Sequence, residues 1–193
     1  MDQLLELGFA FGSSYLIGCC VAGYYLTRWR TGTDLRDLGS GSAGARNTAR
    51  FLGKGFGVAA FAWDFAKGAL AALLARYFGE DLTLASIGVV LGHVWPAQLG
   101  FRGGKGVAPA AGVLAVLQPW LLGIVAVAYA LGGVVTRSVA RRAIAAFGTG
   151  VVAIPFLATR PHEALLGAVL LGILIFTHRG GFPSNEVTKK EAK

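Results

Sequence analysis

Six apolar runs, separated by short loops rich in glycine and arginine, take up most of this chain and leave it few folds to adopt. They cover residues 4–26, 56–78, 82–100, 107–135, 141–158 and 162–177. A helix needs about 20 consecutive apolar residues to cross a bilayer, and nearly every run approaches or exceeds that length. Only 15% of the residues are charged, against about 25% in an ordinary soluble domain. Glycine, at 29 of 193 residues, stands at roughly twice its usual share, and small residues let membrane helices pack closely. An all-α integral membrane protein follows.

The number of spans turns on 107–135. As one helix it is too long without strong tilt, and Gln118-Pro119 interrupts it, where proline removes a backbone donor and clashes with the preceding turn. As two pieces, 107–117 and 119–135, the first is short. Charge placement favours the break, because loops on the cytoplasmic side carry the excess of Lys and Arg. With seven spans and the N-terminus outside, one side receives Arg28, Arg30, Arg36, Arg46, Arg50, Lys54, Arg102, Lys105, Arg137, Arg141, Arg142, Arg179, Lys189, Lys190 and Lys193. The other side receives Arg76 and Arg160, and Lys67 lies within a span. A single helix would put the two basic loops flanking it on opposite sides. The expectation is a bundle of about seven transmembrane helices, N-terminus outside and C-terminus inside. It forms a single domain over 1–182 with a polar cytoplasmic tail over 183–193. The net charge of +8 is explained by this asymmetry, and no nucleic-acid partner is expected.

The two cysteines, Cys19 and Cys20, are adjacent within an apolar run, so they predict neither a disulfide framework nor a metal site. Leu16-Ile-Gly-Cys19 resembles a lipoprotein processing site, but the residues before the run include Asp2 and Glu6 and no Lys or Arg. A signal peptide carries a basic start, so a retained first span is expected.

Three polar stretches converge on the cytoplasmic face: Asp34–Lys54, His93–Pro109 and His178–Glu186. In the first, Gly39-Ser-Gly-Ser-Ala-Gly44 suits a tight turn whose N–H groups and Ser40 hydroxyl would bind anionic oxygen. If the next residues are helical, Arg46 and Arg50 share a face, Asn47 lies beside them, and Ser40 or Ser42 is placed to cap. The alternative is an interfacial helix whose arginines meet anionic headgroups. Asp64 and Lys67, three residues apart inside the next run, are expected to neutralise each other, because ionisable groups at membrane depth are costly; the other reading has Lys67 reaching a substrate phosphate.

The second stretch holds Phe101-Arg-Gly-Gly-Lys-Gly106. A Walker A loop fails here, since Leu99 stands where its first glycine belongs and Gly106 where its Ser or Thr belongs. A phosphate or acyl-phosphate cradle with Lys105 as point charge needs neither. His93, near a span end, is read first as a hydrogen-bonded structural residue. In the third stretch, Thr177-His-Arg-Gly-Gly181, the His178-Arg179 pair either binds an anion or interacts with the last carbonyls of a helix. His162 falls in an outer loop. Paired carboxylates, metal-ligand clusters and Ser/His/Asp spacings are absent, so no metal or cofactor is expected, and any chemistry is electrostatic positioning.

Together these stretches resemble the bacterial acyl-phosphate-dependent glycerol-3-phosphate acyltransferases, the PlsY type. The matching residues are Gly39-Ser-Gly, Gly44-Ala, Asn47 with Arg50, Asp64-Phe-Ala-Lys-Gly68, Gly92-His, Pro96, Phe101-Arg-Gly-Gly-Lys-Gly-Val-Ala108 and His178-Arg179. The resemblance implies acyl transfer from acyl phosphate to the 1-hydroxyl of glycerol 3-phosphate, giving lysophosphatidic acid and phosphate, at the cytoplasmic side of the bacterial inner membrane. It implies Ser40, Arg50, Lys105 and His178 as catalytic, with Gly39, Gly41, Arg46, Asn47, Lys67, His93, Gly103, Gly104, Gly106 and Arg179 binding substrate. Acyl phosphate, glycerol 3-phosphate and membrane lipid are the expected partners of a monomer. The chain departs from the family pattern at Ser42 and Gly181, where Asn is usual, and at Ala140 and Ala143, where serines are usual. Asn185 would replace the second Asn only if the tail folds back. Two other function classes stand beside the enzyme: a non-catalytic binder of phosphate or anionic lipid, and a small transporter, the latter disfavoured by the clustering of charge at one face.

Overall fold

The computed structural model describes residues 2–179; Gly181, Asn185 and the tail expected over 183–193 lie outside the described residues. Within that range all regular structure is helical: α1 (Asp2–Cys19), α2 (Ala22–Thr31), α3 (Ala45–Leu52), α4 (Lys54–Phe78), α5 (Leu82–Val94), α6 (Val107–Leu117), α7 (Pro119–Val135), α8 (Val139–Leu157) and α9 (Pro161–Arg179). Short 3-10 turns occupy Leu35–Asp37 and Ala97–Leu99.

The helix ends follow local chemistry. Asp81 accepts the Leu84 N–H at 2.8 Å to start α5, and Pro119, which lacks an N–H, opens α7. α3 differs from expectation. Its N-cap is Gly44, with no side-chain cap, and the Ser42 hydroxyl accepts the Gly44 N–H instead, at 3.3 Å.

Five stretches are long and apolar enough to span a bilayer: Gln3–Thr31, Lys54–Phe78, Leu82–Leu99, Val139–Leu157 and Pro161–Arg179. The segment 107–135 is broken where the proline predicts, at Gln118, and the Gln118 side chain donates to the Glu163 carbonyl at 2.6 Å, tying the break to the start of α9. Its halves are 11 and 17 residues long, each shorter than the about 20 that a straight crossing takes.

Close approach of backbones organises the bundle. α1 packs on α5 and α4 on α6. A β-carbon at Gly88 or Gly92 would strike the carbonyls of Phe11 or Tyr15, and one at Gly68 or Gly112 would strike those of Pro109 or Phe65. Val89, Val90, Val113, Leu114, Phe147, Leu170 and Leu171 fill the core. Outside, Phe9, Leu16, Val58, Tyr77, Trp120 and Phe156 are well exposed, a distribution that suits hydrocarbon and not water.

The first apolar run, expected as one span, is interrupted at Cys20–Val21. An interrupted helix leaves carbonyls without their usual donors. Side chains from elsewhere take them: the Lys67 ammonium reaches the carbonyls of Gly18 and Cys20 at 2.8 and 2.9 Å, and Gln98 reaches that of Cys19 at 2.7 Å. The Trp63 indole adds a 3.3 Å bond to Cys20.

Candidate active site

Between α2 and α3 the chain is held by one buried side chain. Asn47 is 3% exposed, and its Nδ2 lies 2.9–3.1 Å from the carbonyls of Leu35, Leu38 and Ser42. Its Oδ1 accepts the Ser40 N–H and an Arg50 guanidinium N–H, both at 3.3 Å. Gly39 turns beneath this hub with φ +57, and a β-carbon there would press on Asn47, Phe51 and Arg50. Ser40 is thereby presented outward and exposed, with Arg46 and Arg50 on the exposed side of α3.

Arg36 was not singled out from sequence, yet it joins this loop to the next. Asp34 receives its guanidinium on both oxygens, with a 2.6 Å ion pair, and the Tyr24 ring lies 5.0 Å below. The same guanidinium donates to the carbonyls of Leu99 and Arg102. Its ion pair with Arg36 holds the Asp34 carboxyl below the usual carboxylate range. The Asp-x-Arg spacing of 34 and 36 was the available signal, but it does not reveal a partner some sixty residues away.

The loop after α5 doubles back over the end of that helix. Gly100 and Phe101 both take positive φ, 61 and 58, and for Phe101 this left-handed backbone costs about 1–3 kcal/mol. The N–H groups of Gly103 and Gly104 donate to the carbonyls of Val94 and His93, each at 3.0 Å. Those two glycines therefore build the loop and leave no N–H for a ligand. Among the described residues the N–H groups of Lys105, Gly106, Val107 and Ala108 have no acceptor. They surround the N-terminus of α6, where the helix dipole also favours an anion. The expected cradle is thus displaced toward α6.

One backbone bond links the two loops, from the Ala43 N–H to the Gly103 carbonyl at 3.1 Å. On the other flank, Thr177 of α9 donates its hydroxyl to the Lys105 carbonyl at 3.0 Å. Lys105 is half-buried; burial first, and then the Arg46 charge, push its ammonium below the usual lysine range. At the next residue of α9, the His178 Nδ1 lies 2.8 Å from the carbonyl of Leu174, one helical turn back. A carbonyl only accepts, so Nδ1 carries the proton, and in the neutral imidazole Nε2 keeps its lone pair. The Phe147 ring holds the imidazole edge-on, 5.4 Å between centroids.

The structure thus joins Gly39, Ser40, Gly41, Arg46, Asn47 and Arg50, through the Ala43–Gly103 bond and the Arg36 guanidinium, to Gly103, Gly104, Lys105 and Gly106, and these through Thr177 to His178 and Arg179. Lys67 and His93 are different. They are 5% and 2% exposed, packed behind the second loop. Ala143 is buried and Ala140 half-buried at the start of α8; the position of Gly181 lies outside the described residues.

A multi-pass helical membrane protein with two glycine loops linked to each other is the class these features define. The chain belongs to the glycerol-3-phosphate acyltransferase family, whose model matches residues 8–183. It is 39% identical over 184 residues to glycerol-3-phosphate acyltransferase 1 of Desulfitobacterium hafniense, covering 93% of this chain and 88% of the relative. The Myxococcus xanthus glycerol-3-phosphate acyltransferase is 39% identical over 170 residues, covering 86% and 88%. Among solved structures, PlsY in its glycerol 3-phosphate form superposes with a TM-score of 0.80 at 31% identity, over 98% of this chain and 94% of that one. The lysophosphatidic acid form gives 0.77 at 28% identity, over 98% and 93%.

Proposed function

We propose that this protein transfers a fatty acyl group from acyl phosphate to the 1-hydroxyl of glycerol 3-phosphate, giving lysophosphatidic acid and inorganic phosphate. The observation that carries the reading is the Ala43–Gly103 bond, which ties the loop of Ser40 and the helix of Arg46 and Arg50 to the loop of Lys105. The Lys105 ammonium feels the Arg46 charge, and its loop leads into the unpaired N–H groups at the start of α6. Two phosphorylated substrates need two cationic neighbourhoods, and the two linked loops supply them. The names of the family and of its ligand-bound structures support glycerol 3-phosphate as acceptor.

In this reading the acceptor hydroxyl attacks the acyl carbonyl carbon. The new ester C–O bond forms as the carbonyl–phosphate C–O bond breaks, and inorganic phosphate leaves with the bonding pair. His178 Nε2, whose lone pair is kept free by the Nδ1 bond to Leu174, takes the hydroxyl proton. Lys105 and the α6 N–H groups offset the charge gathering on the departing phosphate. Ser40 and Arg50 hold the other phosphorylated substrate. The acyl chain lies against the apolar flank of the bundle, where a groove of about 520 Å³ runs along Cys20, Leu26, Trp29 and Trp63.

The proposal includes seven spans, with α6 and α7 both crossing, the N-terminus outside, the site on the cytoplasmic side of the bacterial inner membrane, and a monomer over 1–182. The test is lysophosphatidic acid formation by the purified protein. Acyl phosphate is expected to serve as donor and acyl-CoA not, Lys105→Ala to abolish the reaction, and chelators to leave it unchanged. Binding of both substrates by folded protein without turnover would overturn catalysis in favour of a binding role.

A further inference from the structure

Asp64, Lys67 and His93 are almost wholly buried, and the reaction above assigns them nothing. Asp64 Oδ1 pairs with the Lys67 ammonium at 2.8 Å, and His93 Nδ1 lies 3.0 Å from the same ammonium and 3.4 Å from that carboxylate oxygen. With the carbonyls of Gly18 and Cys20, Lys67 has four polar neighbours for three protons, so it is fully engaged. The opposite edge of the imidazole lies against Gly104, where a β-carbon would collide with Nε2, Cδ2 and Cε1 of His93. The His93 carbonyl meanwhile accepts the Gly104 N–H. One side of the ring thus rests on a buried ion pair and the other on the backbone immediately before Lys105.

We propose that Asp64, Lys67 and His93 are positioning residues, an ion pair and ring that brace the interrupted first span against the back of Gly104 and so fix where Lys105 and the α6 N–H groups point. This rests on the acyl-transfer reading, but it removes Lys67 and His93 from direct contact with substrate. The chemistry suits the task. An ion pair sealed from water resists displacement, because separating it exposes a bare charge in a dry interior. A ring wedged against a glycine transmits its place without slack, since no side chain intervenes.

The test uses the full-length protein in detergent, following initial rates with both substrates varied, glycerol 3-phosphate binding by calorimetry, and Tm on the same preparations. Gly104→Ala is expected to lose most activity and binding. His93→Ala is expected to raise KM for a phosphorylated substrate about 10- to 100-fold, the scale of a 1 Å misplacement. The paired variant His93→Ala with Gly104→Ala is expected to return to the level of His93→Ala alone, because the smaller residue vacates the space. Lys67→Met is expected to share the His93→Ala defect without multiplying it when the two are combined.

A folded paired variant no better than Gly104→Ala would overturn the proposal, as would a His93→Ala enzyme with unchanged KM and kcat. Multiplying defects would overturn it too, by showing Lys67 acting on substrate independently. Should the wild type show no acyl transfer, the proposed function fails on its own. Recovery of Tm and of phosphate-ligand binding in the paired variant then still decides the brace.

Discussion

Lys105 carries the clearest consequence for pH. Burial and the neighbouring Arg46 favour its neutral form, so its pKa in the free protein lies below the ordinary value of about 10.4. Phosphate attraction is present while the ammonium is charged and is lost as pH rises through that depressed value. An alkaline limb in kcat/KM is expected below the range of a free lysine, and Lys105→Arg, whose guanidinium stays charged, should remove the limb even where it lowers the rate. Asn47 gives a stability counterpart. Replacing it by Ala strands buried carbonyls and is expected to cost about 1–3 kcal/mol, read as a fall in Tm with loss of glycerol 3-phosphate binding. At this scale sequence shows which residues carry charge but not which way they face. Lys105 was legible as a loop cation among glycines, and Arg46 as a cation on the helix that follows the other glycine-rich turn. Arg36, with its partners at Leu99 and Arg102, was not, because nothing local marks a guanidinium that closes a contact so distant along the chain.

Among the elements, the two interruptions differ in how far sequence could anticipate them. The break before Pro119 is written locally, in a residue that cannot continue a helix. The break at Cys20–Val21 lies within an uninterrupted apolar run; it stands because Lys67, Gln98 and Trp63 satisfy its carbonyls, residues 43 to 79 positions away. Local pattern cannot report a tertiary override of that kind. The glycine contacts between α4 and α6 yield a direct test. Gly112 faces the Phe65 carbonyl with no room for a β-carbon, so Gly112→Leu forces the helices apart and is expected to abolish the monodisperse protein recovered in detergent, whereas Gly123→Leu, with open space around it, should be recovered normally. Cysteines placed singly at Gly79, Ser138 and Thr159 would read the proposed seven crossings by labelling from outside: reagent is expected to reach positions 79 and 159 in intact cells and position 138 only after permeabilisation.

As a whole, the molecule places apolar side chains such as Phe9, Val58 and Phe156 outward, and the proposed seven-span arrangement would gather most of its cations at one end, so that lipid contact and anion chemistry meet at a single rim. Within that rim the Ala43–Gly103 bond has a thermodynamic consequence. In the proposed reaction the two ligand sites share this structural member and are expected to fill cooperatively: ordering one loop lessens the conformational entropy the second ligand must still remove. Glycerol 3-phosphate is therefore expected to tighten binding of a non-transferable acyl-phosphate analogue by about fivefold or more, and the analogue must tighten glycerol 3-phosphate by the same factor, since linkage is reciprocal. Titrating each ligand in the presence and absence of the other measures that factor, and a value of one in both directions would mean the loops fill separately. With coupling of that sign, each substrate favours the ternary complex over the half-filled one, which limits the time a reactive acyl phosphate spends bound beside water without its acceptor.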